Sequence, residues 1–198
     1  MPRWNNFHYL KFHKPFEVLC QFSPSPPKLT LKNFITVPGV YPAGRLDYRS
    51  EGLLLLTDDS VAQHRLTSPQ YQHPKTYLVQ VEGLVTHSAL QAIQHMDSIS
   101  GQPIRPVTAE FIPDPGLSPR LPPVRDYHPT CWLQITLHEG KKHQVRRITA
   151  AAGYPTLRLV RFSIGSLTIE SLEPGQCQHL STGELQRLYN ELRIPVQI

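Results

Sequence analysis

The segment Gly44-Arg45-Leu46-Asp47 places a carboxylate two residues after an arginine and just ahead of the apolar run Leu53–Leu56. A cation this close favours the ionised form of an Asp at neutral pH. A positioned, ionised Asp can act as nucleophile or general base. An Asp in a β-turn with a local Arg partner has the same spacing. The second constellation runs from Glu139 through Lys141 and Lys142 to Arg146 and Arg147. From Lys141 to Ile169 there are six Lys or Arg and no Asp or Glu. On a helix, Val145, Ile148 and Ala152 form an inward stripe, Arg146 flanks it and Arg147 points away. One basic group can then enter a cleft while Lys141, Lys142 and Arg147 meet a polyanion through its phosphates. The same pattern also suits a solvated basic helix face. Tyr77 heads an alternating strand and has the chemistry to stack on a base or move a proton. A half-buried strand Tyr is the plainer reading of that residue. In Leu157–Arg161 the alternation puts Arg158 on the face of Val160, and Leu159 on the face of Arg161. Alone, that says only that a strand carries a basic fringe.

Other chemistries find no support in the residues. There is no GxGxxG, P-loop, GxSxG or HExxH pattern. The ten histidines are scattered, and none has a Cys or carboxylate partner at metal-ligand spacing. No metal and no cofactor are therefore expected. The apolar run Leu53–Leu56 is far too short to cross a bilayer, which takes about 20 residues. Cys20, Cys131 and Cys177 form no CxxC and no even framework, which fits a reducing cytoplasm. The net charge of +5 favours an anionic partner without proving one.

The elements that must carry these groups are legible from period and punctuation. Strands are expected at Phe7–Lys14, Glu17–Leu19, Gly52–Thr57, Thr76–Glu82, Val107–Ile112, Trp132–His138 and Thr156–Ile164. Helices are expected at Ser60–Thr67, opened by a Ser60–Gln63 capping box, and at Thr86–Met96 with Leu90 and Ile93 inward. Two more are expected at Lys141–Ala152, ended by Gly153, and from the Ser181–Glu184 capping box to about Leu192. The residues Ser23–Pro27 form a loop. The order is not strictly βα, which predicts an α+β fold with a mixed or antiparallel sheet. Neither a repeat nor a linker divides the 198 residues. Pro103–Pro129 holds eight prolines in 27 positions. Its irregular part, Pro113–Pro129, carries Arg120 and Arg125. Prolines limit chain entropy, so this segment is read as a stiff rim element that contacts the bound partner and helps choose the site.

These pieces together resemble the pseudouridine synthases of the RsuA group. GRLDYRSEGLLLLTDD resembles the group's catalytic motif, KTYLVQVEG its second and EGKKHQVRR its third. TLRLVRFSIG resembles the strand that follows, and Lys14-Pro15 fits the end of the first strand. The motifs keep the family's order over about residues 7–180. Two departures, Glu17 after Lys14-Pro15-Phe16 and Asp58-Asp59-Ser60, lie outside these chemical groups. Ser50–Leu54 and PRLPPVRDYHPTCWL are most similar to members that act on large-subunit rRNA and lack an S4-type RNA-binding domain.

The resemblance implies a mixed, mainly antiparallel sheet in two lobes, with flanking helices and a central cleft. It implies one catalytic domain over residues 1–198, without an N-terminal S4 domain. The activity implied is isomerisation of one uridine of 23S rRNA to pseudouridine, without cofactor, by a cytoplasmic monomer. Asp47 would be the catalytic carboxylate and Arg146 its ion-pair partner. Tyr77 would stack on the target base, Leu159 would line the pocket, and Gly44 and Arg45 would shape the turn. Lys141, Lys142, Arg147, Arg158, Arg161, Arg120 and Arg125 are the expected RNA contacts. The target base would be flipped out of its helix. Action on tRNA or small-subunit rRNA, and a non-catalytic RNA-binding module of ribosome assembly, are the competing readings.

Overall fold

The computed structural model describes residues 3–195 apart from positions 126 and 171. Seven strands carry the fold: β1 (Tyr9–Lys14), β2 (Glu51–Thr57), β3 (Lys75–Glu82), β4 (Thr108–Ile112), β5 (Thr130–Leu137), β6 (Thr156–Ile164) and β7 (Cys177–His179). They lie in one sheet in the order β7-β1-β2-β6-β3-β5-β4. Tyr41–Pro42 pairs with β2 and Leu167–Thr168 with β6, which makes nine strands. Among the described residues, every pairing in this sheet is antiparallel except β2 with β6. The helices are α1 (Ser60–Thr67), α2 (His87–Gln94), α3 (Gln144–Ala151) and α4 (Thr182–Glu191). No described helix is long and apolar enough to cross a membrane.

The leucine run of β2 is covered on both faces, as a short continuous apolar strand requires. Leu53 and Leu55 pack with Trp4, Leu188 and Tyr189, while Leu54 and Leu56 pack with Phe12, Leu31 and Val40. All four are 3 % exposed or less. Burying each such side chain is worth roughly 1.5–3 kcal/mol. A separate core joins Val79, Leu133 and Ile135 of the sheet to Ile93 of α2 and Ile148 of α3. The two clusters on either face of β2 form one lobe and this third cluster the other, and β6 runs between them beside β2.

Helix α1 begins as expected, but through a different cap. Asp59, not Ser60, is the N-cap, and its Oδ1 accepts from the backbone N–H of Val61 and Ala62. Asp59 wins because its other oxygen is held in the core: Oδ2 accepts from Tyr9 Oη at 2.6 Å and Tyr189 Oη at 3.0 Å. Those bonds to the ionised form hold its carboxyl below the usual range although burial opposes them. The Ser181–Glu184 capping box of α4 is present. Helix α3 starts three residues later than expected, because His143 adopts a left-handed conformation (φ 55°) that no helix interior accepts.

The Pro113–Pro129 segment corrects the reading of it as a cleft rim. No described residue of it lines the main cleft. Leu117 packs against the first core, and the Ser118 carbonyl accepts from Arg158 Nη2 at 2.9 Å. Ser118 Oγ donates to Glu173, and the Arg120 guanidinium sits 3.9 Å over the Phe16 ring. Arg125 pairs with Glu82 at 2.5 Å. The segment is a strap that leaves β4 in one lobe, is fastened to the other, and returns to β5.

Candidate active site

Asp47 sits on a short connection that enters β2, and its position is fixed by four supports. Asp47 closes a tight turn by accepting, through its carbonyl, from the Ser50 N–H at 3.0 Å. From below, the fully buried Lys14 reaches up with its ammonium. Nζ donates to the carbonyls of Pro15 and Val18 at 2.8 Å each and of Tyr48 at 3.4 Å. Burial pushes Lys14 down to about 8. From the side, Arg146 of α3 donates Nη2–H to the Arg49 carbonyl at 2.8 Å and Nη1–H to the Thr156 carbonyl at 3.3 Å. The fourth support is steric. Gly52 (φ 105°) lies so close to β6 that a Cβ there would stand 2.3 Å from the Arg161 carbonyl oxygen. Only glycine lets β2 approach β6 in the parallel register Val160–Glu51 and Arg161–Gly52.

Asp47 opens into a cavity of about 800 Å³ between the lobes. Its walls include Gly44, Arg45, Tyr77, Lys142, Leu159 and Arg161. Tyr77 is 8 % exposed, and in the β6–β3 ladder it stands opposite Arg161, one alternation from Leu159. The phase read from the sequence for Leu159 and Arg161 is the one present. Arg45 and Lys142 are exposed at the mouth. Lys141 is partly tied down, with Nζ on the Pro103 carbonyl and 3.7 Å from Glu139 Oε2.

Three expected roles are corrected by this geometry. Arg146 makes no ion pair with Asp47 within 4 Å; it braces the backbone that carries Asp47. The Asp47 charge favours its cationic form while burial, the larger effect, lowers its pKa. The basic side chain within ion-pair distance of the Asp47 carboxylate is instead His143, with Nε2 3.4 Å from Oδ1. Arg158, expected on RNA, is 7 % exposed and holds Glu51 with two bonds, Nε–Oε1 at 3.0 Å and Nη2–Oε2 at 2.9 Å. Such a bidentate pair uses the guanidinium fork internally. Arg161, also expected on RNA, is 3 % exposed and lies in the cleft wall rather than on the surface. Arg120 and Arg125 lie on the strap, and Arg147 leans 3.5 Å from the Ile99 carbonyl.

The sequence reading missed His143 as a neighbour of Asp47, because a left-handed residue turns back from the helix that follows it. It also missed Lys75, Ser50 and His73 as cleft-lining groups. Lys75 had a usable signal, since it is one strand alternation from Tyr77. No group of three or more His, Cys, Asp or Glu suited to a metal occurs among the described residues.

A model of the RNA pseudouridylate synthase family matches residues 8–151, which include Asp47, Tyr77 and Arg146. The chain belongs to that family. It is 51% identical over 169 residues to the ribosomal large subunit pseudouridine synthase E of Xanthomonas campestris pv. campestris, covering 83% of this chain and 90% of that one. It is 46% identical over 172 residues to the protein of the same name from Vibrio vulnificus, covering 86% and 74%. A crystal structure of a pseudouridylate synthase superposes with a TM-score of 0.77 at 30% identity, over 92% of this chain and 74% of that one. This pseudouridine synthase is therefore an enzyme that isomerises uridine in RNA, on the two-lobed α+β fold with its mainly antiparallel sheet.

Proposed function

We propose that this enzyme converts a uridine of large-subunit ribosomal RNA to pseudouridine, with Asp47 as the acting carboxylate. The observation that carries the chemistry is the position of Asp47. It is a carboxylate fixed at a cleft that Tyr77 and Leu159 also line, with Arg45 and Lys142 exposed at the mouth. The rRNA target is supported by the large-subunit names of relatives that match along most of this chain. The reaction breaks a bond from uracil N1 to ribose C1′ and makes one from C5 to C1′, with no change of oxidation state. Ordinary side chains suffice for that balance. Asp47 acts as an ion, either by bonding to the electron-poor centre or by taking a proton. Tyr77 presents its ring to a base that has been turned out of the stack, and Leu159 lies beside it on the same sheet face. Large-subunit rRNA and three free cysteines both fit an enzyme working in a reducing cytoplasm. The enzyme is read as a monomeric catalytic unit.

The test is tritium release from rRNA labelled at uridine C5. Asp47→Asn and Asp47→Ala should abolish release while the Kd for the RNA stays within about three-fold. That separation is expected of a group that acts mainly in the transition state. Turnover near the unaltered level in either variant would refute the assignment. A map of pseudouridine in rRNA from cells with and without the gene tests the target. A missing modification in tRNA or small-subunit rRNA, with 23S rRNA unchanged, would redirect it.

A further inference from the structure

The floor of the cleft carries more positive charge than the fold itself can use. Lys75 and Tyr77 are alternate residues of β3 and so share a face, and Arg161 stands across from Tyr77 on β6. All three line the cleft with Leu159. Arg161 is 3 % exposed; its Nε donates to the Leu53 carbonyl at 2.8 Å, but the buried Nη2 has no hydrogen-bond partner among the described residues. Lys75 Nζ has the His73 carbonyl at 3.2 Å. Burial, and then the charge of Arg161, push Lys75 down to about 8, with no acid offsetting them. Two other cleft atoms, Ser50 Oγ and His73 Nε2, are also buried and without partners. A buried cation without a counter-charge is costly, and so is a buried polar atom left without a partner. A fold that keeps this set together in one cleft is arranged for an anion that is present only part of the time.

Two anions could enter. RNA phosphates are met by the exposed Arg45 and Lys142 at the mouth, whereas Lys75 and Arg161 share the sheet face of Tyr77 and Leu159, the walls suited to a base. When the C1′–N1 bond breaks, its electron pair stays with uracil and spreads over N1, O2 and O4. We propose that Lys75 and Arg161 form the counter-charge for this detached uracil anion, Arg161 as a catalytic residue donating Nη2–H to a base carbonyl oxygen. The inference rests on the reading of Asp47 as the acting group in a uridine isomerase. The balance is complete within the site. The base holds the pair while Asp47 deals with the ribose. C5 then bonds to C1′, the C5 proton leaves, N1 gains a proton, and Asp47 returns to its starting state.

Leaving-group dependence separates this role from a merely structural one. Fluorine at C5 withdraws electrons, so the detached base is a weaker base and needs less counter-charge. Single-turnover rates are measured on an rRNA fragment whose target is uridine or 5-fluorouridine, following loss of the starting nucleoside by mass spectrometry after digestion. Lys75→Met and Arg161→Met should slow uridine by about 10²–10³-fold, the usual effect of removing one such donor. The loss on 5-fluorouridine should be about ten-fold smaller, with the RNA Kd unchanged. Because Arg161 is bonded to β2, thermal melts check the fold of both variants; Lys75→Met, at the start of β3, carries the test by itself if Arg161→Met does not fold. Equal losses on the two substrates would overturn the inference. So would a rise in Kd that accounts for the whole defect, which would make the pair a phosphate site. If the unaltered enzyme converts neither substrate, the isomerase reading fails and takes this inference with it.

Discussion

At the scale of single residues, Arg146 was expected to pair with Asp47 and instead braces the backbone that carries it. Its fork spans two backbone carbonyls, of Arg49 and Thr156, and so ties the Asp47 turn to the start of β6. Charged hydrogen bonds of this kind are worth roughly 1.5–3 kcal/mol each. Their loss would free the turn, and a misplacement of about 1 Å can cost about 10²-fold in rate. Arg146→Ala should therefore lower the single-turnover rate about 10²-fold. Arg147→Ala, whose guanidinium reaches one carbonyl at 3.5 Å, should cost less than about three-fold. Arg146→Lys should recover only part, because an ammonium cannot span both carbonyls with a fixed fork. Equal losses for the two alanine variants would mean that the brace is not needed. Asp47 and Tyr77 stood out in the sequence by residue type and local pattern, whereas Leu159 came only with the resemblance to the family. The pairing of Lys75 with Arg161 could not be read there, since it depends on which residues two distant strands set opposite each other.

Elements show the same division. Strand positions and helix spans were readable because both follow from short-range period, and the Ser181 box and the Leu53–Leu56 strand are cases in point. The α1 cap was misread because Asp59 is recruited by Tyr9 and Tyr189, residues 50 and 130 positions away. The parallel contact between β2 and β6 was equally invisible, although Gly52 is its signature. A Cβ at residue 52 would collide with the β6 backbone at 2.3–2.9 Å, at a φ of 105° that L-residues rarely adopt. Neither strand can yield without moving Asp47 on one side or Arg161 on the other. Gly52→Ala should cost about 3 kcal/mol or more. For a chain of this size that is a fall in Tm of roughly 6–12 °C. It should also remove most activity in the protein that remains folded. A melt unchanged within about 2 °C would show that the strands part easily and that the close approach does not hold the site.

For the whole molecule the question is which face meets RNA. Proline content and two arginines pointed to the Pro113–Pro129 strap. The structure uses those groups internally: Ser118 on Arg158 and Glu173, Arg120 on Phe16, Arg125 on Glu82. What remains at the cleft mouth is Arg45, Lys142 and the partly tied Lys141. Phosphate contacts displace counter-ions, so each one adds about 0.7–0.9 to the slope of log affinity against log salt. Lys142→Ala should reduce that slope by about this amount. Arg125→Ala should leave it unchanged, because its guanidinium is paired with Glu82 at the end of β3. Titrating a labelled rRNA fragment from about 50 to 200 mM salt gives both slopes. Equal reductions would put the RNA across the strap as well as the cleft, and the strap would regain the recognition role that its prolines suggested. If Lys142 alone changes the slope, the strap is a fastener between lobes, and site choice belongs to the cleft mouth.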